Sequence, residues 1–235
     1  MSEPALSIAF FDPDRQLHGT ARSGTTVLFE GRTPTAIPEG PQIERDGETL
    51  RAELGERLSL ALEPVTPEAE LGDVSARICR VTGQVLGKPV DCLGTVGETR
   101  SAPEWDELDA LRSISVIVDA ENGMLALARR PRGARGHGDE LVNAALIHAG
   151  ELLNVEDARI STVYDGEGRQ RSAGLELWLP GEEFARRGSG TAVAGTSLEL
   201  EGLSVHIAIF HWQLEGAGGY GAYELMVREP APAAA

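Results

Sequence analysis

The chain is short of the residues that staple a fold or carry it into a membrane. Its 235 residues include two cysteines, Cys79 and Cys92, too few for a disulfide scaffold and in no CxxC or Cys/His cluster that would hold zinc. They flank a turn near Leu86-Gly87-Lys88; a disulfide would fit there, and a reducing compartment favours two buried thiols instead. No run approaches the ~20 apolar residues of a spanning helix. The segment Met1–Ser7 lacks the basic-then-apolar order of a signal peptide, so a cytoplasmic protein that does not engage a membrane is expected. Lysine is almost missing: Lys88 is the only one, and the other cations are arginine. Against 37 acidic residues the formal net charge is −16, which repels phosphates and argues against a nucleic-acid partner. Gly-Lys-Ser/Thr, GxSxG and a GxGxxG leading into a helix are all missing, which excludes P-loop, nucleophile-elbow and dinucleotide chemistry; no cofactor is expected. His18, His137 and His148 are scattered without ligand spacing, so no metal is expected either.

Sustained helical periodicity is scarce, and alternation dominates. Leu58-Ser-Leu-Ala-Leu62 and Leu175-Glu-Leu-Trp-Leu179 read as strands with one face buried, and Val205-His-Ile-Ala-Ile-Phe-His-Trp212 as a strand covered on both. Turn chemistry lies between such runs at Asp46-Gly47, Asn122-Gly123, Asp165-Gly166, Pro180-Gly181 and Gly216–Gly219. With 28 glycines and 13 prolines as punctuation, the class is all-β, with roughly 16 short strands in a barrel or sandwich.

The pattern repeats. Asp12 matches Asp119 at an offset of 107, with Ala21/Ala128 and Arg22/Arg129 following. Asp46-Gly47-Glu48 matches Asp165-Gly166-Glu167 at 119, Leu58–Leu62 matches Leu175–Leu179 at 117, and the turn at Gly87 matches that at Gly202 at 115. Four anchors in one order point to a duplication. Ser101-Ala-Pro-Glu104 resembles a capping box, with Trp105, Leu108 and Leu111 at helical spacing behind it; a short helix over 102–111 is expected to bridge the halves. The expected layout is a first barrel over 1–100, a helical linker over 101–112, a second barrel over 113–229 and a frayed tail at Pro230–Ala235.

The opening Ile8-Ala-Phe-Phe-Asp12 with Gly19-Thr-Ala-Arg22, the Tyr164-Asp-Gly-Glu-Gly168 turn and the glycine-rich Gly219-Tyr-Gly-Ala-Tyr-Glu224 resemble the double lipocalin-like (calycin) family. That family includes hydroxyneurosporene synthase and the AttH-like proteins. The resemblance implies two tandem lipocalin-like antiparallel β-barrels; activities in the family include hydratases and cyclases, so fold transfers better than reaction.

Unusual side chains concentrate in Ser204–Gln213, where His206, Ala208, Phe210 and Trp212 alternate onto one face. If the loop Glu215–Gly219 closes a hairpin, Phe210 lies opposite Glu224, and His206, Phe210, Trp212, Glu224 and Met226 share that face. A carboxylate and an imidazole among aromatics suit a general acid/base pair, with Glu224 and His206 as candidate catalytic residues and Phe210, Trp212, Met226 and Trp178 as ligand contacts. Equally, a lone strand histidine is commonly a satisfied core or rim group, and Glu224 could pair outside with an arginine. Arg129, Arg130, Arg132 and Arg135 form the clearest electropositive spot; Arg130 and Arg132 are candidate anion contacts on a lid, against the plainer reading of a loop balanced by nearby acids.

Three functions remain open on the sequence. One is a lipocalin-like protein holding a small hydrophobic molecule of isoprenoid or polyketide type, as a monomer or homodimer. Another is a cofactor-independent hydratase, isomerase or cyclase working through an acid such as Glu224. The third is a structural or partner-binding β-protein with filled cores.

Overall fold

The computed structural model describes residues 5–135 and 137–228; the expected tail Pro230–Ala235 lies outside them. Among the described residues nineteen strands share the chain. The first half holds β1 (Ala5–Asp12), β2 (Leu17–Arg22), β3 (Thr25–Glu30), β4 (Thr33–Ile37), β5 (Gln42–Asp46), β6 (Thr49–Leu54), β7 (Leu58–Pro64), β8 (Ala69–Leu71), β9 (Val74–Val85) and β10 (Lys88–Thr99). The second holds β11 (Leu108–Ile117), β12 (Gly123–Pro131), β13 (Leu141–His148), β14 (Glu151–Asn154), β15 (Asp157–Tyr164), β16 (Gln170–Trp178), β17 (Arg186–Leu200), β18 (Leu203–Leu214) and β19 (Ala217–Arg228).

Each half forms one antiparallel sheet. The orders are β4-β3-β2-β1-β10-β9-β7-β6-β5, with β8 beside β9, and β14-β13-β12-β11-β19-β18-β17-β16-β15. These are the same walk taken twice. Where the first half uses β7 and β8 against β9, the second uses the single long β17 against β18, bent by a bulge between Ala192 and Ala194.

The duplication is therefore present in the topology, but two of its four sequence anchors fall one strand out of place. Asp12/Asp119 and Asp46/Asp165 mark equivalent turns. Leu58–Leu62 is β7, whose counterpart is β17, whereas Leu175–Leu179 belongs to β16, the counterpart of β6. The turn at Leu86-Gly87 is equivalent to Glu215-Gly216, not to Glu201-Gly202. All three are two-residue turns with both residues at positive φ (51°/73°, 50°/91° and 53°/79°), so the likeness is one of turn chemistry rather than position.

The linker helix is not formed. Residues up to Glu107 make a turn, in which Glu107 N–H donates to Glu104 C=O at 2.8 Å, and Leu108 already begins a strand. Beyond Ala110, β11 lies between β12 and β19 and hydrogen-bonds to both, so two ladders outweigh one short helix. Trp105 and Leu111 nonetheless pack on the apolar contact between the halves.

Side-chain alternation fills three apolar clusters. In the first half Phe10, Leu28, Leu50, Leu60, Leu62 and Val81 point inward. In the second, Ile114, Met124, Leu175, Leu177, Phe210, Trp212 and Tyr223 do so. The third cluster lies between the sheets, where Phe11, Phe29 and Ile78 meet Leu125, Ile147, Val205, Ile207 and Ile209. Val205–Trp212 is thus covered on both faces, as the apolar residues at both its odd and even positions suggest.

Candidate functional site

The second sheet does not close its ladder: β14 and β15 are its two edges, and β15 faces β13 across an unpaired seam. At this seam lies a pocket of about 500 Å³, lined by Gly138, Glu140 and Val142 on one side and by residues 157–161 and Glu176 on the other. Its lining mixes inward and outward positions of β15, because an edge strand shows both to the opening. Ala158 and Ile160 belong to the interior cluster. Outside, the Arg159 guanidinium lies over the Trp178 ring at 4.9 Å, and Glu176 pairs with Arg187 at 2.9 Å.

Glu140 connects the pocket to a polar cluster inside the barrel. Its side chain is 2% exposed and its Oε1 receives Arg112 Nη2, Arg130 Nε at 2.8 Å and Arg130 Nη2 at 2.7 Å. Arg112, 1% exposed, is the inward residue between Ala110 and Ile114 on β11. Its Nη1 donates to Tyr223 Oη at 3.2 Å and to Thr162 Oγ1 at 3.4 Å, while Thr162 and Tyr223 share a hydrogen bond of 2.7 Å. Gln170 Nε2 donates to the carbonyls of His206 and Tyr223 at 3.3 and 3.2 Å. Burial pushes the Glu140 carboxyl upward, but the hydrogen bonds and charge of Arg112 and Arg130 prevail and hold it below the usual carboxylate range. Burial raises the Tyr223 phenol to about 12, so it stays a neutral O–H donor. At the other end of the interior Trp212 and Phe210 stack at 5.1 Å as a plug, the indole seated on Gly190, where a Cβ would lie 2.6 Å from the ring.

No family model and no curated protein sequence matches the chain. Among solved structures it is similar to an AttH-like protein of Nitrosomonas europaea (14% identity, TM-score 0.63, covering 94% of this chain and 91% of that one). It is also similar to kievitone hydratase of Nectria haematococca (10% identity, TM-score 0.59, covering 96% and 89%). The fold is a tandem lipocalin-like pair. At these identities the likeness concerns the fold alone, and the chemistry has to be argued from this chain's own residues.

In the second lipocalin-like barrel the expected site residues separate. The closing hairpin is tighter than a Glu215–Gly219 loop: Glu215-Gly216 alone make the turn, Leu214 pairs with Ala217, and Phe210 pairs with Gly221. Glu224 therefore faces Ile207, three positions from the expected register. An odd slip turns every β19 side chain to the other face. His206, Phe210 and Trp212 stay on one face, while Glu224 and Met226 stand on the opposite one, against the first barrel. There Arg22 reaches both, pairing with the Glu224 carboxylate and approaching Met226 Sδ at 3.6 Å. His206 lies half-buried at the rim, sharing a 2.7 Å hydrogen bond with Ser197, and burial lowers its pKa despite the nearby Glu199. Trp178 packs on the outer face beneath Arg159. Of the arginine cluster, Arg130 reaches into the site, whereas Arg129 meets Asp73 at 3.3 Å and Arg132 stands 4.0 Å from Asp109, the balanced-loop arrangement. Arg112, Glu140, Tyr223 and Thr162 were not candidates. The available signal was a charged residue at an inward position of the apolar run Leu108–Ile117.

Between the barrels a second aromatic group forms. His18, buried, stacks on Tyr220 with centroids 5.6 Å apart, and His211 meets the same ring edge-on at 5.2 Å. Burial lowers His18 to about 4 against the pull of Asp12. Cys79 and Cys92 are free thiols, each raised by burial to about 12. No helix among the described residues is long and apolar enough to cross a membrane.

Proposed function

We propose that the protein binds a small molecule with an apolar body and a polar end, taken in through the side of the second barrel. The observation that carries this is the seam pocket of about 500 Å³, within the usual size range of ligand sites, with Val142, Ala158 and Ile160 as apolar wall and Glu140 at its inner end. Gln170 Oε1 and Trp212 Nε1, both buried without a partner among the described residues, add polar groups to the same interior. The test is titration with the neutral dye Nile red, alongside native mass spectrometry of protein purified from its own host. Saturable dye binding that Ile160→Trp abolishes without lowering the melting temperature supports the reading. Absence of binding by the wild type overturns it.

A second reading, a cofactor-independent hydratase or isomerase, is favoured by the neutral Tyr223 O–H held beside an ionised carboxylate and a guanidinium. A phenol donor and a carboxylate acceptor are the two roles that proton transfer to and from a bound molecule requires. The fold likeness to a hydratase is compatible with it.

A further inference from the structure

Arg112 is a cation buried on a rigid strand, hydrogen-bonded through its backbone into ladders on both sides. Its anion comes from elsewhere. Glu140 follows the 3₁₀ turn His137–Asp139, on the connection between β12 and β13, and it is the carboxylate that stands between Arg112 and the pocket. Within that connection two hydrogen bonds close locally: Ala134 N–H donates to Pro131 C=O at 3.2 Å and Arg135 N–H to Asp139 Oδ2 at 2.9 Å. Gly133 N–H, donating to Asp109 Oδ2 at 2.9 Å, ties its near end to β11. The cation is thus built into the barrel wall, and its carboxylate arrives on a loop.

Resting on the ligand-binding reading above, we propose that Arg112, Tyr223 and Thr162 form an anion subsite for the carboxylate of an amphipathic ligand, with Glu140 as its exchangeable internal occupant. A buried guanidinium deprived of its carboxylate is costly, so only a molecule bringing its own anion can take the place of Glu140. The subsite also offers more than charge. The guanidinium would turn the Nη2 that now meets Glu140 to the incoming carboxylate, and the neutral Tyr223 O–H is a second donor beside it. The apolar wall of Val142, Ala158 and Ile160 then accommodates a chain or ring attached to that carboxylate. On displacement Glu140 keeps Arg130, 29% exposed and able to follow it outward.

The test compares octanoate with octan-1-ol, matched in chain length and differing in the anion, by calorimetric titration. With Glu140→Gln, which keeps the shape and removes the competing charge, octanoate binds at least tenfold more tightly than to the wild type, and octan-1-ol is unchanged. The paired substitution Arg112→Met with Glu140→Met abolishes the preference for octanoate. Amide exchange in the wild type needs no variant: octanoate, and not octan-1-ol, accelerates exchange over residues 137–142. Octan-1-ol binding with no gain for octanoate in Glu140→Gln and no change in exchange overturns the subsite while leaving the pocket. Failure of both probes on every variant overturns the pocket reading and the subsite with it.

Discussion

The two barrels follow one strand order and fill it differently. Counted back from the turn that joins their last two strands, Trp212 and Phe210 stand where the first barrel has Gly83 and Val81. Counted forward, Tyr223 stands where it has Gly94. The first interior is closed by aliphatic side chains around Phe10, and a Cβ at Gly94 would lie 2.0 Å from the Ala9 carbonyl oxygen. A gap in the first half between Ser75 and Glu98 holds about 10 Å³. Its buried charge, Asp12, is at the end of β1 with Arg15 beside it. The second interior has an aromatic plug at one end and an ion pair at the other, and its edge strands leave the side open. Duplication supplies a wall; what distinguishes a packed barrel from a chamber is a handful of inward positions.

The comparison can be broken most forcefully at Arg112. Arg112→Met leaves Glu140 buried with one cation fewer and costs about 3–5 kcal/mol in urea unfolding, while the double substitution Arg112→Met, Glu140→Met returns to near the wild-type value. If the single and double variants are equally destabilised, the pair is not the electrostatic unit described. Next comes pH. His18 has a depressed folded-state pKa, so stability present above pH 6.5 is lost as pH falls to about 4, amounting to about 3 kcal/mol. Replacing His18 by Leu should flatten the unfolding free energy over that window; an unchanged pH profile would place the acid sensitivity elsewhere. Gly94→Ala should cost about 1–3 kcal/mol by forcing β1 and β10 apart, with no effect on ligand binding in the other half. A dye affinity that moved with it would mean that the barrels do not act separately. Smallest is Glu224→Gln, which removes the ion pair with Arg22 and should cost about 1 kcal/mol, leaving Nile red affinity as it was.

The all-β class, the duplication and the doubly covered strand Val205–Trp212 were legible because alternation and turn residues are local signals. What was not legible depended on counting. Assigning five residues to the closing turn instead of two moved Glu224 from the contact with the first barrel into the interior, since strand side chains change face with every residue. The equivalence of Leu58–Leu62 with Leu175–Leu179 failed for a related reason: one-side-buried strands look alike, so a repeat can be aligned one strand out. The helix expected at 102–111 had sound local signals, and lost to two neighbouring strands that needed a partner between them. Glu140 could not be found from sequence, because its partners Arg112 and Arg130 reach it only once the sheet has curled. The fold was therefore readable, and of the candidate site only Arg130 was.

The apolar cluster between the sheets carries a consequence for how the molecule melts. Phe11, Phe29 and Ile78 on one side and Ile147, Ile207 and Ile209 on the other are each nearly sealed only while both halves are present. Cutting the chain near Ser101 would leave two sheets each showing a raw hydrophobic flank, prone to self-association. Intact, they are expected to unfold in a single transition. A molecule held in the second half then protects the first as well, and a probe placed anywhere in the chain reports its arrival.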